Sequence, residues 1–461
     1  LEQTNSLVST GVGATAGENS NCAVVIGNNA CTVANVGQSS VVIGNGARHY
    51  IYGGDAVVIG PGASVTNANI VSIGVNAIGE SQGGVNIGSS SCTVCNNGQG
   101  NMAIGRLATA YGLFDPAICA DPLADIAIGY GAVARFGNSL AIGRATFSCE
   151  TNGISIGVLS KVFPGATGTI VLGNSSVGGT GACNSVVVGN SAEANVANSI
   201  FIGPGTINKS SGALNGAIVI GQNACIYGSA YNGHIVIGRC ACAQEQNSTV
   251  VIGDAAYGEN IGVAIGCAAQ AGVGSVALGG QAVATGLFAF AGTRSSRATS
   301  QESIALGHNS CGNATCATAL GANSCAAHTC SVALGAGITT ERVNTTHVQS
   351  LVAYGQGASK LNSIASGATA ATINWDDGNN QKIDLSSSIT SLTLSNPIEG
   401  GNYMLEIVQG GVGSYTITWP ASIKWQNATS PTLSTAVGKI DVVSFFYDGT
   451  NYLGTFALNF A

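Results

Sequence analysis

Residues 303–335 read "SIALGHNSCGNATCATALGANSCAAHTCSVALG". Gly307, Gly321 and Gly335 lie 14 residues apart there, as do Cys311 and Cys325, and Cys316 and Cys330. A fixed interval of this length marks a repeat architecture, one small supersecondary unit per repeat. Outward from this stretch, the phrase apolar-x-[Ile/Leu/Val]-Gly recurs through most of the chain. Its glycines are Gly27, Gly44, Gly60, Gly74, Gly88, Gly105, Gly129, Gly143, Gly157, Gly173, Gly189, Gly203, Gly221, Gly238, Gly253, Gly266, Gly279, Gly307, Gly321 and Gly335. "FAFAG", ending at Gly292, reads as a decayed further copy. Spacing is mostly 13 to 18 residues, with one longer interval of 24 from Gly105 to Gly129.

Each phrase predicts a short strand closed by a turn. The residue before the glycine is Ile, Leu or Val, as in Ile26, Leu172 and Val188, and the residue two earlier is nearly always apolar, as in Val24 and Ile154. Period-two spacing places both on one face. Between them stands a smaller residue, such as Ser72, Ala103, Ala141 or Ala277. A glycine at every strand end marks a backbone that needs positive φ or a close approach. β-Branched residues and glycine in every unit argue against helix. The fold class expected is all-β: a parallel β-solenoid of about 21 short coils, each about 4.8 Å above the last, making a rod of roughly 100 Å. A coil this thin encloses little core. With small residues expected outward, its flat faces predict that several chains pack side by side.

Composition narrows the function. The chain has 461 residues, of which 8% are charged and 45% hydrophobic, with 68 Gly and only 8 Pro. The charged fraction compares with roughly 25% in ordinary soluble domains. That much apolar content opposes disorder, and no apolar run approaches the roughly 18 residues of a membrane-spanning helix. With 14 Lys+Arg and a net charge of −7, nucleic acid is not an expected partner. The opening "LEQTNSLVSTGVGATAGENS" shows neither a signal peptide nor an initiator Met, so the delivery route is unreadable.

The stretches "ESIALGHNS", "NSLAIGRAT" and "GSVALGGQAVATG" resemble the head repeats of trimeric autotransporter adhesins over roughly residues 9–336. That resemblance implies a left-handed parallel β-roll assembled as an intertwined homotrimer. "TTERVNTTHVQSL" (339–351) resembles the neck that follows such heads. From about residue 366 the glycine phrase stops, and 11 of the 26 aromatic residues fall in the last 90 positions. "GGNYMLEIVQGGVGSYTITWPASIKW" (400–425) and "DVVSFFYDGTNYLG" (441–454) resemble the small β-sandwich domains that end many phage and large-virus fibre and structural proteins. An antiparallel sandwich or jelly roll of about eight strands is expected there, with "YDGTNY" as an Asp-Gly hairpin. The expected organisation is a lead-in over 1–20, the β-roll over 21–336, a neck or linker over 337–365 and the sandwich over 366–461. True autotransporters end in a membrane-anchoring strand set. This chain ends at "FALNFA", which moves the expectation toward a viral fibre.

The 15 cysteines carry three readings: small buried hydrophobes in place of Ala, disulfide staples, or zinc ligands. Cys31, Cys92, Cys225, Cys242, Cys311 and Cys325 sit four residues after a repeat glycine; Cys22, Cys316 and Cys330 sit five before the next. Candidate disulfide residues are therefore Cys22, Cys31, Cys311, Cys316, Cys325 and Cys330. Cys311 is expected over Cys325 and Cys316 over Cys330, with the within-coil pairs Cys311–Cys316 and Cys325–Cys330 equally open. Cys92 and Cys95 form a lone C-x-x-C without a second pair.

For chemistry, the strongest acidic group is Asp115, Asp121 and Asp125 in the long interval, which could bind Ca²⁺ or a sugar or simply cap turns. No recurrent carboxylate pairing and no P-loop, H-E-x-x-H or nucleophile elbow appears, so neither an enzyme nor a cofactor is expected. Trp375, Trp419 and Trp425 are candidate sugar or receptor contacts, against the reading that they are core. Sequons stand at Asn174, Asn208, Asn247, Asn313, Asn344 and Asn427. A regular Thr-x-Thr ladder, as ice binding wants, is missing. The functional expectation is a homotrimeric fibre on a virion surface that attaches to a host glycan or protein, without membrane insertion. A bacterial cell-surface adhesin and a purely structural extracellular filament are the alternatives.

Overall fold

In each coil the tripeptide before the repeat glycine is a strand, as in Leu140–Ile142 and Ile154–Ile156. A second short strand follows a few residues later, as in Phe147–Cys149 and Lys161–Val162. Each strand pairs in parallel with its equivalent one coil away, Leu140 with Ile154 and Phe147 with Lys161. The result, in this computed structural model, is a parallel β-solenoid with two ladders, a first-strand sheet of 23 strands and a second-strand sheet of 20 among the described residues. The structure describes the chain except residues 1–6, 18–21, 33–38, 51–53, 97–98, 114–123, 211–214, 229–232, 245–246, 353, 355–356 and 366–368.

The repeat glycine closes the first strand at positive φ and lies against the next coil. At Gly143, φ is +135°, and an added Cβ would run into the carbonyl oxygen of Gly157. Its amide donates to the Ile128 carbonyl at 2.8 Å, so one peptide both turns the chain and stitches coils. Two residues on, a left-handed corner recurs at Asn76, Ala145 and Asn323. A second corner, five residues before the glycine, recurs at Asn138, Asn152, Cys316 and Cys330.

The interior corrects one expectation. The small residue inside each first strand points inward, not outward: Ser72, Ala103, Ala141 and Ala277 have no exposed surface. The flanking Ile, Leu and Val point out and stay half-exposed, Ile200 and Ile202 at 38% each. The lumen of a 14-residue coil admits Ala, Ser, Thr and Val, rarely more; Phe201 is the largest side chain fully buried there. Larger residues are therefore displaced to the outer face.

The ladder also runs past both expected ends. Val8–Thr10 pairs with Val24–Ile26, and Thr346–Val348 pairs with Val332–Leu334, so the stretch read as a neck adds a further coil. "FAFAG" is indeed a coil, with Phe290 in register between Val276 and Ile304. Its glycine is displaced, however. Gly292 occupies the usual Ile position, and Thr293 takes the turn, its Oγ1 accepting from the Gly307 amide at 3.1 Å.

The chain divides into two units, Leu1–Ser350 and Leu351–Ala461. The second corrects the antiparallel sandwich: its sheet is mixed. The strands Leu361–Ala365, Asn380–Leu385 and Asn402–Gln409 lie adjacent and parallel. Ala370–Asn374 and Ser391–Ser395 form a separate parallel pair. Successive strands alternate between the two sheets, so each returns in the same direction as its neighbour, as in a coil. Antiparallel pairing begins where Asn402–Gln409 meets Ile440–Tyr447, which then meets Tyr452–Phe460 through the Asp-Gly hairpin. In that turn Asp448 accepts from the amides of Thr450 at 2.8 Å and Asn451 at 2.6 Å. These bonds lower its pKa.

Gly143→Ala is expected to lower thermal stability by about 3 kcal/mol, combining strained φ with a backbone clash. Gly131→Asn, at a left-handed corner with φ +63° and open space around it, should change stability by no more than a few tenths of a kcal/mol. Equal melting of the two variants would contradict the packed-glycine account.

Two histidines are enclosed in the lumen, His49 and His234, each without exposed surface. Burial pushes His49 down to about 4 from 6.5 and lowers His234 as well. Both are neutral when folded, whereas the unfolded chain protonates below about pH 6.5. The contribution of His49 is thus full above pH 6.5 and is lost as pH falls toward 4, and His234 acts in the same direction. Denaturation midpoints should drop across that window, and His49→Asn should flatten the drop. An unchanged slope would contradict it.

Candidate functional site

The two outer faces of the solenoid are chemically unequal. On the first-strand face, register aligns Ile142, Ile156, Leu172, Val188, Ile202 and Ile220 in one column. Leu140, Ile154, Ile170, Val186, Ile200 and Ile218 form the column beside it. From Val24 and Ile26 to Val332 and Leu334, only Thr318 and Gly292 interrupt these apolar columns. Two columns about 7 Å apart, extending on the order of 100 Å, make a stripe of roughly 700 Å². That exceeds the few hundred Å² a monomer ordinarily exposes. The second-strand face instead varies from coil to coil, with Arg48, Ser64, Thr109, Phe147, Lys161, Glu193 and Tyr257 at equivalent positions.

Cysteines populate that variable face and one corner. Cys311 and Cys325 stand in register and are joined by a disulfide with Cα atoms 4.5 Å apart. The bond therefore links neighbouring coils, and the pairs Cys311–Cys316 and Cys325–Cys330 do not form. Cys316 and Cys330 occupy successive left-handed corners, with the Cys330 amide donating to the Thr315 carbonyl at 3.0 Å. The Cys316 thiol donates to Glu302 Oε2 at 3.5 Å, which raises its pKa. Cys31 stands in register with Arg48 rather than with a cysteine. Cys22 lies exposed at its own corner. A further cysteine pair shares a register: Cys225 aligns with Cys242. The signal was their shared place four residues after Gly221 and Gly238.

The other sequence candidates divide clearly. Asp115 and Asp121 lie outside the described residues. Asp125 is buried, its carboxylate accepting from the Ser139 amide at 2.9 Å, the Ser139 hydroxyl at 2.8 Å and the Gly137 amide at 3.3 Å. It braces a corner and is not open to a ligand. Burial raises its pKa despite these bonds. Trp375 is corrected from receptor contact to core: it is 5% exposed and packs on Tyr403 with ring centroids 4.4 Å apart. Trp419 and Trp425 are half-buried, edge to face at 5.1 Å, and both pack on Phe445. The reason is composition: this unit has a wide core to fill, and aromatic rings fill it. Among the sequons, Asn208 is buried, whereas Asn174, Asn247, Asn313, Asn344 and Asn427 are exposed.

No protein-family model matches the chain, and no curated protein matches it either.

Peptide mapping without reductant should recover Cys311 linked to Cys325, and Cys311 linked to Cys316 would contradict the coil register. Removing the bond with Cys311→Ser and Cys325→Ser should cost about 3 kcal/mol, as for closing a loop of about 15 residues. Burial, with a smaller push from Glu80, raises the Cys92 thiol to about 11. It should therefore resist alkylation at about pH 8 and react only as pH nears 11, while exposed Cys22 and Cys267 react throughout. Alkylation of Cys92 at the same rate as these would contradict its raised pKa.

Proposed function

We propose that the chain is the subunit of a homotrimeric fibre that projects from a virion and attaches it to a host surface. The observation that carries this reading is the continuous apolar stripe on the first-strand face. Such a stripe is covered when copies pack along a common axis, and parallel packing lets every coil meet its equivalent. Three copies is the number implied by the likeness to trimeric head repeats. In that arrangement the second-strand face, variable from coil to coil, points to solvent as the surface for recognition. The assignment is to binding, not catalysis. The second unit, whose sequence over 400–425 and 441–454 resembles the domains that end virus fibre proteins, favours the virion over the cell envelope. The head repeats themselves favour the second reading, a bacterial surface adhesin.

Gold-labelled antibody raised against residues 21–336 tests the assignment. Labelling of projections on purified particles, together with reduced particle adsorption when free protein is added, is the expected result. Labelling of the cell envelope with bare particles would overturn the virion reading in favour of the adhesin.

A further inference from the structure

Cations and aromatic rings gather on the second-strand face around Phe147. Phe147 and Lys161 are in register on adjacent coils. Two residues along, Tyr111 is in register with Arg135, and Arg135 with Cys149. Phe163 follows on the next coil, its ring 5.8 Å from Lys161 Nζ. Phe147, Lys161 and Phe163, with Ala145 and Leu159, line a shallow concavity of about 420 Å³.

The electrostatics there are unusual for this chain, which carries 14 Lys+Arg against a net charge of −7. Among the described residues neither Arg135 nor Lys161 has a carboxylate partner. Glu150, the nearby acid, is turned to the following loop, accepting from the Gly165 amide at 2.6 Å and the Thr167 hydroxyl at 3.1 Å. Asp125 is committed to Ser139 and Gly137. Arg135 stacks on Tyr111, its Cζ 4.3 Å from the ring centroid, and its buried Nε–H has no acceptor. A guanidinium held over a ring by cation–π attraction keeps its fork in place for an anion. Half-exposed aromatic faces beside an unpaired ammonium suit a ligand with an apolar face and an acid group.

We propose that Arg135, Phe147, Lys161 and Phe163 form a binding site for a carboxylated oligosaccharide laid along the ladder. A pyranose ring stacks on Phe147 and Phe163, and its carboxylate accepts from Lys161. Arg135 lies two coil steps away, about 10 Å, and donates to the neighbouring sugar. This deepens the attachment reading by naming the receptor chemistry, and it rests on that reading for its biological role. An acidic peptide is the competing occupant. The rings favour the sugar, because a stacking face is present that a carboxylate side chain does not need.

Titration calorimetry on the full chain tests it, with four probes: a hyaluronan hexasaccharide, the same sugar with its carboxyls reduced, an oligosaccharide ending in N-acetylneuraminic acid, and a poly-Glu peptide. At least one carboxylated probe should bind, and the choice between them separates uronic from sialic receptors. The reduced sugar should bind about tenfold more weakly or worse, as expected for loss of a charge-assisted bond. Lys161→Gln and Phe163→Ala should each weaken binding by about tenfold at unchanged melting temperature, while Arg294→Gln, elsewhere on the solenoid, should not. Equal affinity for the reduced sugar, no effect of either variant, binding of a poly-Glu peptide in place of the sugars, or no sugar binding would overturn the site. If free protein still blocked particle adsorption in that case, the site alone would fail. Sugar binding without any block of adsorption would leave the site standing and remove the attachment role.

Discussion

The close approach of successive glycines governs the first unit. With Gly143 held against the Gly157 carbonyl, and most other turns built likewise, neighbouring coils cannot move apart without losing the ladder hydrogen bonds. They cannot widen either, because the turn leaves only a narrow lumen, filled by Ala127, Ala132, Ala134 and Ala141 and their equivalents. The consequence is an inversion of ordinary packing. Ala, Ser, Thr and Val make most of the core, and the Ile, Leu and Val that flank it in each first strand lie outside. Each such side chain contributes about 1.5–3 kcal/mol when fully buried, and half-exposed it withholds much of that from a lone chain. A surface of this kind gains by being covered, and its repeat along the axis makes the gain cumulative.

The same inversion explains what the sequence made legible and what it did not. The period-two placement of Val24 with Ile26 and of Ile154 with Ile156 on one face was readable, since alternation is a property of the strand itself. Which face turned inward was not, because strand periodicity carries no information about lumen width; Ala141 and Ser72 settle it only once the coil closes. Cys311 over Cys325 was readable from equal offsets to the glycine, yet the within-coil alternative was equally open until the register fixed it. Gly292 shows the complementary limit: a glycine near the expected spacing marks the turn in sequence, whereas Thr293 makes it in the fold.

In the second unit, composition overrode position. Alternating apolar residues in Asn402–Gln409 and Ile440–Tyr447 announced strands, and the Asp-Gly pair announced their neighbouring hairpin. Parallel pairing of Leu361–Ala365, Asn380–Leu385 and Asn402–Gln409 depends on contacts far apart in sequence, with no local signal to report it. The three tryptophans read either as ligand contacts or as core, because an aromatic ring serves both roles and its local sequence does not report burial. Their place is in or against the aromatic core around Phe445. Side-chain variety instead falls to the second-strand face, where Phe147, Lys161 and Tyr257 are free of the lumen's size limit.

Native mass in solution tests the central claim most directly, that the outward apolar columns are covered by copies of the same chain. The account predicts a single species at three times the 45.4 kDa chain, roughly 136 kDa, persisting under reductant because the Cys311–Cys325 bond lies within one subunit. A well-behaved monomer at micromolar concentration would contradict it.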